Sequence, residues 1–160
     1  DAAGAGAAHV RQRGQDGVLT SERKFPNGAV VAAKIMPIAN AVRMELTLTN
    51  GTKETMRGLR VQNCVMLKAA TGFDQMTNDN KRLEAPLVAC RNAAGDRWVI
   101  TAWEPCQRAW ANPPCPCMHS DPQFPDCPPG ESRTLKGWLS LYEGQELASE
   151  FARIKEILNR

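Results

Sequence analysis

The chain has 160 residues, 42% of them apolar and 23% charged, the composition of one folded domain rather than of a disordered polymer. Its formal charge of +3 is too small a surplus to signal nucleic acid or an anionic membrane. No apolar run approaches the ~18 residues of a bilayer span, so insertion of a helix into a membrane is not expected.

Residues 1–8, Asp-Ala-Ala-Gly-Ala-Gly-Ala-Ala, have little surface to bury and read as part of a flexible tether. The tether is expected to cover residues 1–16 and to link the domain covalently to an upstream one. Order is expected to begin near Gly17 or Val18, leaving residues 17–160 as a single domain.

Strand signals follow in series. Ala29 to Ile35 reads as a strand stopped by Pro37. Val42 to Thr49 alternates apolar and polar residues with period two, and Asn50-Gly51 ends it with turn chemistry. Leu59 to Leu67 alternates again. Leu87 to Cys90 and Arg97 to Trp103 are joined by Asn92-Ala93-Ala94-Gly95-Asp96, a hairpin loop. Arg133 to Tyr142 is a last strand. Leu147, Phe151, Ile154 and Leu158 then form the stripe of an amphipathic helix expected over 145–159. The helix is expected to pack on the sandwich.

This order predicts a mainly β fold, an antiparallel sandwich with a C-terminal α-helix. Leu46-Thr47-Leu48-Thr49-Asn50-Gly51 followed by Leu59-Arg60-Val61 resembles the strand-turn-strand of immunoglobulin-like modules in bacterial secreted proteins. Pro129-Gly130-Glu131 before a Leu-x-Gly-Trp-Leu strand is similar to the end of such modules. The resemblance implies an immunoglobulin-like β-sandwich and no particular activity.

The most informative stretch is 104–131. Eight of the eleven Pro and four of the six Cys lie near or within it, and it reads as a long Cys/Pro-rich loop that needs its own staples. Two chemistries compete for the thiols. Cys64, Cys90, Cys106, Cys115, Cys117 and Cys127 are an even set, as a disulfide framework requires. Such a framework would place the chain outside the cytoplasm, extracellular or periplasmic. A Cys64–Cys90 bridge between sheets is one expectation, with Cys106 bonding one of Cys115 and Cys117 and Cys127 the other. The competing chemistry is zinc, whose tetrahedral sites take thiolates and imidazoles. Cys115, Cys117 and His119, with Cys106 or Cys127, supply that ligand count, although no Cys-x2-Cys knuckle is present. Free thiols are a third alternative.

His119 stands beside Ser120 and Asp121, but a catalytic triad is a matter of three-dimensional geometry and not of neighbours in sequence. Trp98 and Trp138 are expected in the core. Trp103 lies an odd number of positions from Trp98 and is therefore on the opposite face, which makes Trp103 and Trp110, with Arg108, the expected exposed contact surface. Asn50-Gly51-Thr52 is an N-glycosylation sequon. Thr77 to Lys81 reads as a polar turn without the spacing of a calcium loop.

Two functional readings result. The first is a non-catalytic extracytoplasmic binding or accessory module of a larger protein. It would have no cofactor and would recognise a protein or carbohydrate ligand through its Cys/Pro/Trp-rich loop. The second is a zinc-binding protein, including the possibility of a metal-dependent hydrolase with Glu104, Asp121 or Asp126 as base. The poverty of acid and base residues speaks against catalysis.

Overall fold

A computed structural model describes residues 8–159 of the chain. Residues 1–7 of the expected tether lie outside the described residues. The fold is mainly β and antiparallel, with one C-terminal helix. Its strands are β1 (Ala8–Arg13), β2 (Leu19–Lys24), β3 (Val30–Ile38), β4 (Ala41–Thr49), β5 (Val65–Met66), β6 (Lys81–Glu84), β7 (Leu87–Arg91), β8 (Arg97–Glu104), β9 (Cys106–Ala111), β10 (Cys117–Pro122) and β11 (Ser132–Glu143), and α1 spans Leu147–Leu158. The described helix is not long or apolar enough to cross a membrane.

Eight strands form one sheet in the order β1-β2-β3-β4-β11-β8-β7-β6, and β5-β10-β9 form a second, smaller sheet. The arrangement is sandwich-like, but the strands are not shared between two sheets of comparable size as in an immunoglobulin-like module. Strands β1 and β6 are the two edges of the large sheet.

Alternation along the central strands explains why both faces are covered. Leu87, Ala89, Ile100, Ala102 and Trp138 point one way and pack with Phe151, Ile154 and Leu158 of α1. Val88, Cys90 and Val99 point the other way, where they meet Met118 of the small sheet with Leu67 and Phe73. Each face of a strand takes every second residue, so two covered faces require the nearly continuous apolar run Leu87-Val88-Ala89-Cys90. The helix is held at its C-terminal end as well as along its stripe. Lys155 reaches Glu84 of β6 at 2.8 Å, and Lys136 Nζ donates to the Leu158 carbonyl at 3.4 Å. Arg153 makes a two-bond pair with the buried Glu150 while its guanidinium lies over the Trp138 ring.

Several sequence expectations are corrected. The segment 104–131 is not a loop, because it contains β9 and β10 as a paired hairpin. Its chain then runs back along residues 56–61, with mutual backbone bonds between Met56 and Cys127 and further bonds from Phe124 N to Leu59 O and from Val61 N to Pro122 O. Order begins before Gly17, since Ala8–Arg13 pairs in full register with β2. Pro37 does not stop β3, which pairs with β4 through Ile38. The expected strand from Leu59 to Leu67 contracts to the two residues of β5, with an isolated bridge at Arg60.

Trp98 and Trp103 do lie on opposite faces, but the second face is covered too. Trp103 is only 7% exposed and packs with Leu48, Phe124, Cys127 and Leu135. Its ring lies over Gly137 so closely that a Cβ there would sit 2.8 Å from three ring carbons. Asn50 is fully buried: its amide donates to the carbonyls of Glu54 and Cys127, and its Oδ1 accepts from Thr52. The sequon is therefore a structural brace, closed to a glycan in the folded chain. In the Thr77–Lys81 turn the Lys81 ammonium itself caps the Thr77 carbonyl.

Candidate metal centre

The small sheet places its chemistry by register. On β10, Met118 faces the core and Ser120 fastens the small sheet to the large one. The Ser120 hydroxyl accepts from Trp103 N at 2.9 Å and donates to the Pro86 carbonyl at 2.7 Å. The intervening residues Cys117, His119 and Asp121 therefore share the other face. Cys117 is paired with Met66 and Met118 with Val65, so continuing this register brings Cys64 beside His119. On the opposite flank, β9 pairs Trp110 with His119 and Arg108 with Asp121.

The result is a group of three metal-ligating side chains. Cys64, Cys117 and His119 each offer one ligand atom, and these atoms all lie within 4.8 Å of one another. A zinc ion with bonds of about 2.3 Å to sulfur and about 2.0 Å to nitrogen holds its ligand atoms slightly under 4 Å apart, so small side-chain rotations suffice. Cys117 and His119 are 4% and 3% exposed, while Cys64 opens to solvent.

The surroundings fix the imidazole. The Trp110 ring stacks on His119 with centroids 3.9 Å apart and planes 11° from parallel. Arg108 covers the other side of Trp110, 4.5 Å from its centroid. Trp110 Nε1 donates to Asp121 Oδ2 at 2.6 Å, and Asn63 N donates to Asp121 Oδ1 at 2.9 Å. That same Oδ1 lies 4.0 Å from His119 Nδ1, too far for a hydrogen bond. His119 Nδ1 and Asn63 Oδ1 are buried without hydrogen-bond partners. Buried polar atoms normally have partners, and two exceptions beside a pair of thiols fit a site built to take something more. Ligation through Nε2 would leave an Nδ1 proton facing Asp121, the outer-shell arrangement common to metal-bound histidines.

The thiols are not paired with one another. All six cysteines are free, which corrects the disulfide framework and removes the support that it lent to an extracytoplasmic location. Cys90 lies on the inward face of β7, where burial pushes its thiol up. Cys106 Sγ lies 3.7 Å from the Ser120 hydroxyl, whose proton goes to Pro86, and burial foremost raises the Cys106 pKa as well. Cys127 is fully buried and donates to the Glu131 carbonyl at 3.2 Å. Neither Cys106 nor Cys127 is therefore brought to the His119 group. Cys115 lies nearer: its Sγ contacts Met66 Sδ at 3.9 Å, and the neighbouring Cys117 thiol is the main reason that its own thiol is also pushed up.

Sequence reasoning found Cys117 and His119 but read Cys64 as a core or disulfide thiol. Of the three carboxylates weighed as a base, Asp126 pairs with Arg57 at 3.1 Å. Glu104 closes β8 opposite Lys136, and both oxygens of Asp121 already accept bonds. Of the expected contact surface, Arg108 is exposed, Trp110 half-buried and Trp103 buried.

No family model and no curated protein sequence matches this chain. Among solved structures it is similar to a candidate kojibiose phosphorylase from the human microbiome, with a TM-score of 0.64 at 7% identity over 97% of this chain and 23% of that one. It is also similar to the Slr1438 protein of Synechocystis sp. PCC 6803, with a TM-score of 0.54 at 9% identity over 86% of this chain and 66% of that one. A looser likeness, with a TM-score of 0.46 at 12% identity, is to a candidate aldose 1-epimerase from Klebsiella pneumoniae over 95% of this chain and 54% of that one, and it carries no weight. The chain thus spans less than two thirds of each of these proteins, and at such identities the likeness is one of fold alone.

Proposed function

We propose that this chain is a metal-binding β-sandwich module whose ion, zinc by preference, is held by Cys64, Cys117 and His119. The observation that carries the reading is the convergence of these three ligand atoms within 4.8 Å, beside the unpartnered His119 Nδ1. Two thiolates and an imidazole are a soft-to-borderline donor set, which suits zinc and disfavours magnesium or calcium. A bound zinc would supply positive charge and tetrahedral cross-linking between the segment carrying Cys64 and β10. The chain's own contribution is orientation: Trp110 fixes the imidazole plane, and Asp121 Oδ1 lies 4.0 Å from its Nδ1.

The test is elemental analysis with thiol titration on protein purified under reducing, chelator-free conditions. One equivalent of zinc is expected, falling to well under half in Cys64→Ser, Cys117→Ser and His119→Ala. Stoichiometric metal that survives all three substitutions would sink the reading.

A second reading, an accessory module of a larger protein with a carbohydrate ligand, is favoured by the fold likeness to 23% of a candidate sugar phosphorylase. Trp110 and Arg108 would be its contact residues. Binding to a glycan array that Trp110→Ala abolishes would support it.

A further inference from the structure

The Cys64–Cys117–His119 group has one position of a tetrahedron left to fill, and the geometry points to Cys115 as its fourth ligand, making the centre a closed Cys3His site with a structural rather than a catalytic ion. This inference rests on the metal reading above. A catalytic zinc keeps a solvent position open, whereas a structural one is fully ligated by protein, so the identity of the fourth donor decides what the ion can do.

Two features bring Cys115 to the site. Cys117 N donates to the Cys115 carbonyl at 2.8 Å, a bond between residues two apart that turns the chain about Pro116. The fixed φ of proline suits the centre of such a turn. The turn folds Cys115 back onto Cys117 instead of carrying it away along an extended strand. Second, Cys115 Sγ contacts Met66 Sδ at 3.9 Å, and Met66 is the cross-strand partner of Cys117, so the thiol lies over the same pair of strands that carries the other ligands. Cys115 Sγ stands outside the 4.8 Å group; a cysteine has a single χ1 with three staggered wells, and ligation requires this one to leave the Met66 sulfur for another well.

The other donors nearby are spoken for. Asp121 accepts from Trp110 and Asn63. Cys106 contacts Ser120, Cys127 donates to Glu131, and Cys90 is buried on the inward face of β7. Met66 is 54% exposed and offers a thioether, a ligand suited to softer ions than zinc. Cys115 is thus the remaining thiol, held by its contact with the Met66 sulfur.

Cobalt(II) substitution reads the ligand set directly. Titration of the reduced chain with cobalt is expected to give one tetrahedral equivalent whose thiolate charge-transfer band does not respond to added azide. In Cys115→Ser, at a half-buried turn position, the band should lose about a third of its intensity, one thiolate of three. Azide should then perturb the spectrum, and affinity should fall at least about tenfold, the lower end of what loss of even an outer-shell partner costs. An unchanged band and affinity in Cys115→Ser, alongside loss of binding in Cys64→Ser, would overturn the fourth ligand and leave the three-residue site standing. Azide binding to the unsubstituted chain would do the same. Failure of that chain to take up cobalt at all would overturn both readings.

Discussion

Asp121 ties together two residues that nothing else in the sequence connects. One oxygen accepts from the backbone of Asn63, which fixes the segment leading into Cys64, and the other accepts from Trp110, whose ring holds His119 flat. A carboxylate so placed acts on a metal only through the ligands that it positions, yet such partners are worth about 10–100-fold in affinity. Asp121→Asn keeps an oxygen for Asn63 but turns an amide N–H toward Trp110 Nε1, donor against donor. Its zinc affinity is expected to fall within that range while circular dichroism stays unchanged. Competition against a chromophoric chelator measures it, and an unaltered Kd would remove Asp121 from this role. Its neighbours show why the site was only half legible in the sequence. Cys117 and His119 announce themselves by spacing, two residues apart on one strand. Cys64 joins them only through the antiparallel register of β5 on β10, a long-range fact with no local signature.

At the scale of elements, one close contact in the large sheet joins β8 to β11. Gly137 has no side chain because the Trp103 indole occupies the place of one. Gly137→Ala therefore forces a buried ring out of position, and overpacking of this kind costs typically about 1–3 kcal/mol. Denaturant unfolding should show a loss in that range, and a loss below about 0.5 kcal/mol would mean that the ring moves freely. The elements that the sequence did disclose carry a clear local signal: alternation in β4, apolar runs joined by turn residues in the β7–β8 hairpin, and the stripe of α1. Those it hid had that signal obscured. In β9, Cys106, Arg108 and Trp110 alternate with Gln107, Ala109 and Ala111, but none of these is a strong strand signal, and the prolines on either side dominate the composition. In β1 the exposed run His9 to Arg13 has no buried face to betray it. Trp103 was misjudged for the complementary reason, since opposite faces imply one wet face only when a sheet has a single covered side.

The molecule as a whole keeps its titratable sulfur in two environments, an outer cluster around His119 and an inner set within the apolar layers. Cys90 belongs to the inner set, packed among Leu67, Phe73, Val88, Val99 and Met118, and burial holds its pKa above that of a free thiol. The folded state therefore retains a proton that the unfolded chain gives up near pH 8.5. Stability from this source is complete below that pH and is lost as pH rises toward the folded value. Melting temperature is expected to decline as pH rises above about 8.5, and Cys90→Ala should decline less steeply over the same window, whatever its starting stability. Parallel slopes for the two proteins would show that another group governs the alkaline limb.

Among the described residues the eight-stranded sheet ends in two borders without a paired strand, β1 and β6, and unpaired strand borders are templates for aggregation. Arg11 and Arg13 line the first, and Lys81 and Arg82 the second. Two copies approaching border to border would bring like charges together before any backbone bond could form, so the basic residues act as guards against fibrous self-association. Such repulsion reaches only about 8 Å at physiological ionic strength, and concentrated salt would lower the guard.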